Sequence, residues 1–377
     1  MTSNIAANAR RYRQARKMTQ ALVAERAGIS RVGYRNIESG KATPKPDTMF
    51  AVARALDVPV GRLVEPAQPL ERVRFRSSKR LRTRAHVLAE AGRRLRDFAD
   101  LEDVLGARLP YRLAELSRGD DPRPVDPVAT ARKAREALGL DDKEPIHDIS
   151  GLLESAGIKV IPLPIATEGF FGLSVAPSDG GPAIVVNTWD RISVERWIFT
   201  AAHELGHLLL HSQSYDATRV DEDESEEREA DRFAAHLLMP ERGFKSEWDE
   251  TAGAALVDRV LKVKRIFRVS YRTVLRRLAE LGQEDAYALF MSQFRSATGR
   301  GLRRTDEPDR LAVDAFAAEP LRAREPRELD PADFVPDRLG RLVRRAVESG
   351  DITLSRAAEV LDISLPRMRE RASSWVA

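Results

Sequence analysis

Phe199-Thr200-Ala201-Ala202-His203-Glu204-Leu205-Gly206-His207-Leu208-Leu209-Leu210-His211 runs without a proline, and its apolar residues recur at helical spacing. His203 and His207 are four apart, so on a helix they share a face, with Cβ atoms about 5–6 Å apart. Two imidazole nitrogens placed in this way can reach one ion at about 2.0–2.1 Å, the zinc distance. Glu204 directly follows the first histidine and can reach a water on that ion. Zinc lowers the pKa of bound water to roughly 7, and a neighbouring carboxylate can then take the proton. These residues predict a zinc-dependent peptide-hydrolysing site with Glu204 as its base. Five-residue patterns also arise by accident. Here, however, the chain has 6 histidines, at 86, 147, 203, 207, 211 and 236, and half of them fall in this one stretch. A buried histidine pair without a metal would need other hydrogen-bond partners.

A catalytic zinc needs a third protein ligand and an open position. Downstream, Asp221-Glu222-Asp223-Glu224 reads as an acidic loop, and a second helix is expected from about Ser225, with Ala230, Phe233, Ala234, Leu237 and Leu238 as its apolar stripe. Acidic residues fill its first turn, where the helix dipole favours them, and Pro240 ends it. Glu227 and Asp231 are four apart and share a side, which suits a ligand carboxylate and an aspartate that orients a ligand histidine. Glu229 and Glu226 are weaker alternatives. His211 continues the face of His207 and is expected near the site, at the helix end, more as a hydrogen-bonding residue than as a ligand. His236, on the second helix, could line the cleft and assist an oxyanion, or be an ordinary half-buried histidine.

The stretch 199–211, together with Glu227-Arg228-Glu229-Ala230-Asp231-Arg232-Phe233-Ala234-Ala235-His236-Leu237-Leu238-Met239-Pro240, resembles the ImmA/IrrE family of metallopeptidases. The similarity extends upstream to Ile149–Val160, Phe171-Gly172-Leu173-Ser174 and Ala183-Ile184-Val185-Val186-Asn187. Downstream it reaches Phe267–Ala279, so that it covers roughly residues 128–285. It implies a gluzincin-like core that binds zinc through His203, His207 and Glu227, with Glu204 as base and Asp231 behind a ligand. Manganese is a possible substitute, since such oxygen- and nitrogen-rich sites accept it.

Residues 1–66 read as a run of short helices. Thr19 is a good N-cap for Gln20 to Ala27, Gly28 allows a tight turn, and Ser30 caps Arg31 to Ser39. Two short helices joined by a glycine turn, the second capped and basic, fit a helix-turn-helix. Thr19-Gln20, Ala24, Gly28-Ile29-Ser30, Ile37-Glu38-Ser39-Gly40 and Pro44 resemble the phage-repressor-like (XRE) DNA-binding domain. By that resemblance Arg31, Val32, Arg35 and Asn36 face the major groove, and Gln20 meets phosphate or base. Arginine and asparagine can read guanine and adenine edges respectively. Two residues depart from the pattern: Gly33, which costs about 1 kcal/mol against alanine in a helix, and Tyr34, which is bulkier than the usual aliphatic residue. A small helical protein-interaction domain is the alternative reading of this segment.

Charge supports nucleic acid. Residues 1–100 carry a net +13, which against a total of +4 leaves −9 for the rest. A basic front half can neutralise phosphates. Part of that charge lies in a connector over 67–125, at Arg72, Arg74, Arg76, Lys79, Arg80, Arg82, Arg84, Arg93, Arg94 and Arg96, which is expected to be helical. The peptidase-like domain is expected over 126–290, a linker or loose extension over 291–336, and a helical segment over 337–377. Within the last, Arg338 to Gly350 and Ser355 to Leu361 read as helices with a helix-turn-helix flavour, suited to packing or substrate docking. The fold class expected is mostly α: a five-helix N-terminal domain, a central α+β zincin-like domain with a small sheet, and a helical C-terminal extension.

At 377 residues and 42% hydrophobic content the chain can hold two or three cores, and with no cysteine it can form neither disulfides nor a thiolate zinc site. No signal peptide and no membrane-spanning apolar run is evident, so a cytoplasmic protein is expected, and the many arginines, alanines and prolines suit a GC-rich bacterial source. The resemblance implies a DNA-binding regulator, expected to be a homodimer, that cleaves a helix-turn-helix repressor in stress response or mobile-element control. Two other classes fit the same motifs: a regulator whose peptidase fold only senses metal or ligand, and a toxin–antitoxin-type interaction scaffold. Intact Glu204 speaks against a pure sensor, which needs no general base.

Overall fold

The structure is a computed structural model that describes residues 4–16, 18–64, 70–77, 84–117, 126–167, 169–216, 223–303, 306–308 and 326–375. Lys79, Arg80, Leu81 and Arg82 of the basic connector, and Asp221 and Glu222 of the acidic loop, lie outside the described residues. The chain divides into two compact units, 1–70 with 80–93, and 71–79 with 94–377. No helix among the described residues is long and apolar enough to cross a membrane.

The first unit holds α1 (Asn4–Ala15), α2 (Gln20–Arg26), α3 (Arg31–Glu38), α4 (Pro46–Ala55) and α5 (Gly61–Val64). The expected caps are formed: Thr19 Oγ1 accepts the Leu22 N–H at 3.1 Å and Ser30 Oγ accepts the Gly33 N–H at 3.0 Å. Val23, Ala24, Tyr34, Ile37, Val52, Leu56 and Leu63 form the core. The bulk of Tyr34 is used there. It is fully buried, and its hydroxyl donates to the Ala9 carbonyl at 3.3 Å, tying α3 to α1. Arg13 clamps the buried Glu38 carboxylate with two hydrogen bonds of 2.8 and 2.6 Å.

The second unit begins with β1 (Val73–Ser77), where a helix was expected. Val73-Arg74-Phe75-Arg76 alternates apolar and basic residues, which is the period of a strand. After it come α6 (Arg84–Val104), whose first half belongs to the first unit, α7 (Pro127–Leu138), α8 (Ile149–Ser155), β2 (Lys159–Pro162), β3 (Phe170–Val175) and β4 (Ala183–Val186). The sheet order is β1-β3-β4-β2, with β1 and β4 antiparallel to β3 and β2 parallel to β4. Next are α9 (Val194–Leu210), α10 (Glu224–Leu238), α11 (Glu241–Glu250), α12 (Leu256–Phe267), α13 (Tyr271–Glu280) and α14 (Ala286–Thr298). A continuous core joins Ile184 and Val186 of the sheet to Ala201, Leu205 and Leu208 of α9 and Phe233 and Leu237 of α10.

Described residues of the expected extension at 291–336 reach the core. Phe334 is buried in that core, edge-on to Trp197, and Glu307 pairs with the buried Lys264 at 3.4 Å. The C-terminal segment forms three helices: α15 (Arg338–Glu348), α16 (Leu354–Leu361) and, beyond the two expected, α17 (Leu365–Ser373). They close over Phe98 and Leu101 of α6, with Leu342, Val343, Val360 and Met368 as the apolar contacts.

Candidate metal centre

The HELGH stretch lies in the C-terminal half of α9, with His203, Glu204 and His207 fully buried. Glycine at 206 lets α10 come close. A Cβ there would meet Phe233 Cδ1 at 3.0 Å and the Ala230 Cα at 3.3 Å. The approach brings Glu227, from the first turn of α10, onto both histidines: Oε2 lies 3.2 Å from His203 Nε2 and Oε1 3.2 Å from His207 Nε2. The two Nε2 atoms are 2.9 Å apart. Among the described residues these three form a group able to hold a metal.

Hydrogen bonds fix which nitrogen of each ring faces inward. His203 Nδ1 lies 2.8 Å from Asp231 Oδ1; the carboxylate accepts, so Nδ1 carries the proton and Nε2 presents a lone pair. His211, which caps the end of α9, has Nε2 3.1 Å from Glu229 Oε2 and Nδ1 2.9 Å from His207 Nδ1. Glu229 requires a proton on His211 Nε2, so His211 Nδ1 accepts and His207 Nδ1 donates. His207 Nε2 is thereby also left with a lone pair. Burial first, and His203 second, pushes the His207 pKa well below its ordinary value, and burial lowers that of His211, so both rings are neutral. Two lone pairs and a carboxylate turned on one point suit a cation. Their separations of 2.9, 3.2 and 3.2 Å lie at or a few tenths of an ångström below the roughly 3.3 Å between tetrahedral ligands of zinc at the distances given above. The residues fit the ion.

Glu204 Oε2 accepts from Ser174 Oγ at 2.8 Å, and Ser174 Oγ in turn accepts from the buried Tyr215 hydroxyl at 2.9 Å. The strand carrying Ser174 lies hard against α9 because residue 172 is glycine. A Cβ there would meet Thr200 Cγ2 at 2.5 Å, the Val185 carbonyl at 2.9 Å and Glu204 Oε1 at 3.2 Å. Ser174 and Tyr215 escape sequence reasoning; a strand residue alternating toward the α9 face was the only available signal. Arg74 is a further addition: its guanidinium contacts Glu226 and lies 3.1 Å from Glu227 Oε1.

The other predicted site residues separate. Glu226 bonds Ser214 and Arg74, and Glu229 bonds His211, so neither joins the three ligand atoms. His236 is not at the centre. Nine residues from Glu227 places it about half a turn round α10, where it bonds Glu280 at 3.2 Å and Arg277 at 2.7 Å and faces a different cavity with Asp126, Arg132 and Glu136. A cavity of about 280 Å³ adjoins the centre through Asp231, lined also by Phe171, Arg196, Phe199, Arg272 and Arg276. In the first unit, Arg31, Val32 and Arg35 are exposed on α3, and Asn36 and Gln20 are half-exposed.

Residues 10–63 match a helix-turn-helix family model, and residues 153–279 match that of the IrrE N-terminal-like domain, peptidase M78. No curated protein matches the chain significantly. The chain thus joins an XRE-type helix-turn-helix domain to an IrrE N-terminal-like domain of the M78 peptidase family.

Proposed function

We propose that this chain is a DNA-binding zinc metalloendopeptidase that hydrolyses a peptide bond in a partner protein, a helix-turn-helix repressor, in stress response or mobile-element control. The observation that carries the proposal is the meeting of His203, His207 and Glu227 at one buried point beside Glu204. Zinc, with manganese as the substitute, would supply Lewis acidity and acidify a bound water. Glu204 takes the proton of the attacking water and returns it to the leaving amine. The Tyr215–Ser174 chain orients Glu204. Asp231 and the Glu229–His211 pair orient the two imidazoles. The cavity beside Asp231 accepts a substrate side chain.

The helix-turn-helix unit binds DNA as a homodimer. Arg31 and Arg35 reach phosphates or guanine edges, Asn36 an adenine, and the 55%-exposed Val32 a thymine methyl. The test is a comparison of new protein N-termini in host cells carrying wild type or Glu204→Gln, before and after stress. A new terminus in a helix-turn-helix repressor, present only with wild type, is the expected result. Identical termini under several stresses, with metal content and DNA binding intact, would favour a regulator without proteolysis.

A further inference from the structure

β1 forms the outer edge of the sheet, antiparallel to β3, with Arg74 opposite Ser174. Residues directly opposite in such a pair share a face. Ser174 touches Glu204, so Arg74 enters on the side of the metal centre. Its side chain is 8% exposed, and its guanidinium lies on Glu226 and on the Glu227 oxygen that also faces His207. One residue of the basic segment therefore reaches a ligand carboxylate. A cation held by His203, His207 and Glu227 would compete with Arg74 for that oxygen. α5 ends at Val64 and β1 starts at Val73, so β1 is tied closely in sequence to the helix-turn-helix unit.

We propose that the outer edge of β3 is the peptide-docking groove of this site and that β1 is its resident occupant. A protein substrate then enters as an extended strand carrying an arginine where Arg74 now lies. The inference rests on the peptidase reading. Strand addition supplies main-chain hydrogen bonds, and Glu226, which pairs with Arg74 and is not a ligand, supplies selectivity for arginine. As a tethered segment β1 competes at an effective concentration on the order of millimolar, so the chain is latent while β1 is docked.

The test uses the full zinc-loaded chain in a Glu204→Gln background, where cleavage cannot consume the probe. The probe is a fluorescent peptide of the sequence Leu70–Lys79. Arg74→Gln should bind it at least tenfold more tightly than Arg74 protein, and the amides of 170–175 should exchange faster while circular dichroism is unchanged. A second pair, Val73→Cys with Val175→Cys, locks β1 in place. These residues are Cα partners, and the Ala176 N–H to Arg72 carbonyl bond beside them makes them a non-hydrogen-bonded pair. Such pairs lie about 4.5 Å apart, within disulfide reach, and the chain has no other cysteine.

Oxidation should abolish probe binding with or without Arg74→Gln, and reduction should restore it. Should Arg74→Gln not fold, the redox pair carries the test at Arg74. A folded Arg74→Gln that neither binds the probe nor exchanges faster would overturn the proposal. So would an oxidised protein that binds as well as the reduced one. Because binding is read without catalysis, the two readings can fail separately. A groove that binds the probe in a chain that never cleaves any protein sinks the peptidase reading alone. Repressor cleavage by a chain that never binds the probe sinks the groove alone.

Discussion

Replacing His211 with phenylalanine should weaken zinc binding although His211 is not a ligand. The ring accepts the proton of His207 Nδ1 across 2.9 Å, and His207 is fully buried, so bulk water is poorly placed to take over. Phenylalanine keeps the shape and removes the acceptor. A buried N–H left without a partner costs about 1–3 kcal/mol. Loss of an outer hydrogen bond to a ligand histidine typically costs 10–100-fold in metal affinity, about 1.4–2.7 kcal/mol. The two figures agree, and the expected loss is therefore one to two orders of magnitude in Kd. The assay is competition for zinc with a chromophoric chelator at pH 7.5, on full-length protein whose circular dichroism is unchanged. His211→Gln, which keeps an acceptor oxygen, should recover part of the loss. A folded His211→Phe protein within threefold of wild type would refute the chain from Glu229 through His211 to His207.

Gly172→Ala forces a methyl group against Thr200 and the Val185 carbonyl and should cost about 1–3 kcal/mol, read as a lowered Tm. Ser174→Ala removes a donor to the Glu204 carboxylate and should lower kcat/KM about tenfold or more while zinc content stays unchanged. Burial raises Glu154 to about 7, although it accepts the N–H groups of Asp337 and Arg338, and folding accordingly favours its protonated form. That contribution is full below about 4.5 and is lost as pH rises through 7, so wild type should melt lower at pH 8 than at 5.5. Glu154→Gln should flatten the difference, gaining on the order of 1–3 kcal/mol at the higher pH. Arg35→Ala should weaken DNA binding and reduce its dependence on salt concentration by about one unit of log–log slope if Arg35 meets a phosphate.

The parts of the fold legible in the sequence were those written in local spacing. His203 and His207 share a face because they are four apart, and Glu227 with Asp231 repeats the relation on α10. Thr19 and Ser30 cap their helices through bonds spanning three residues. What stayed hidden depends on distant partners. β1 pairs with β3 across about 100 residues, and its arginines resembled a solvated helix face until Arg74 met Glu226 and Glu227. Ser174 and Tyr215 are ordinary strand and loop residues until packing places them behind Glu204. Phe334 and Glu307 sit in a stretch whose charge and prolines suggested loose chain, yet both reach the core. The half turn of α10 between Glu227 and His236, which puts His236 away from the centre, is written in their spacing of nine.

The decisive measurement is zinc stoichiometry by equilibrium dialysis and elemental analysis of wild type, Glu204→Gln, His207→Ala and Glu227→Ala, each verified as folded. One zinc per chain in wild type and Glu204→Gln, with none retained by His207→Ala or Glu227→Ala, is the predicted result. Zinc that persists in both ligand variants, or a wild type that binds none, would contradict a metal centre built from α9 and α10.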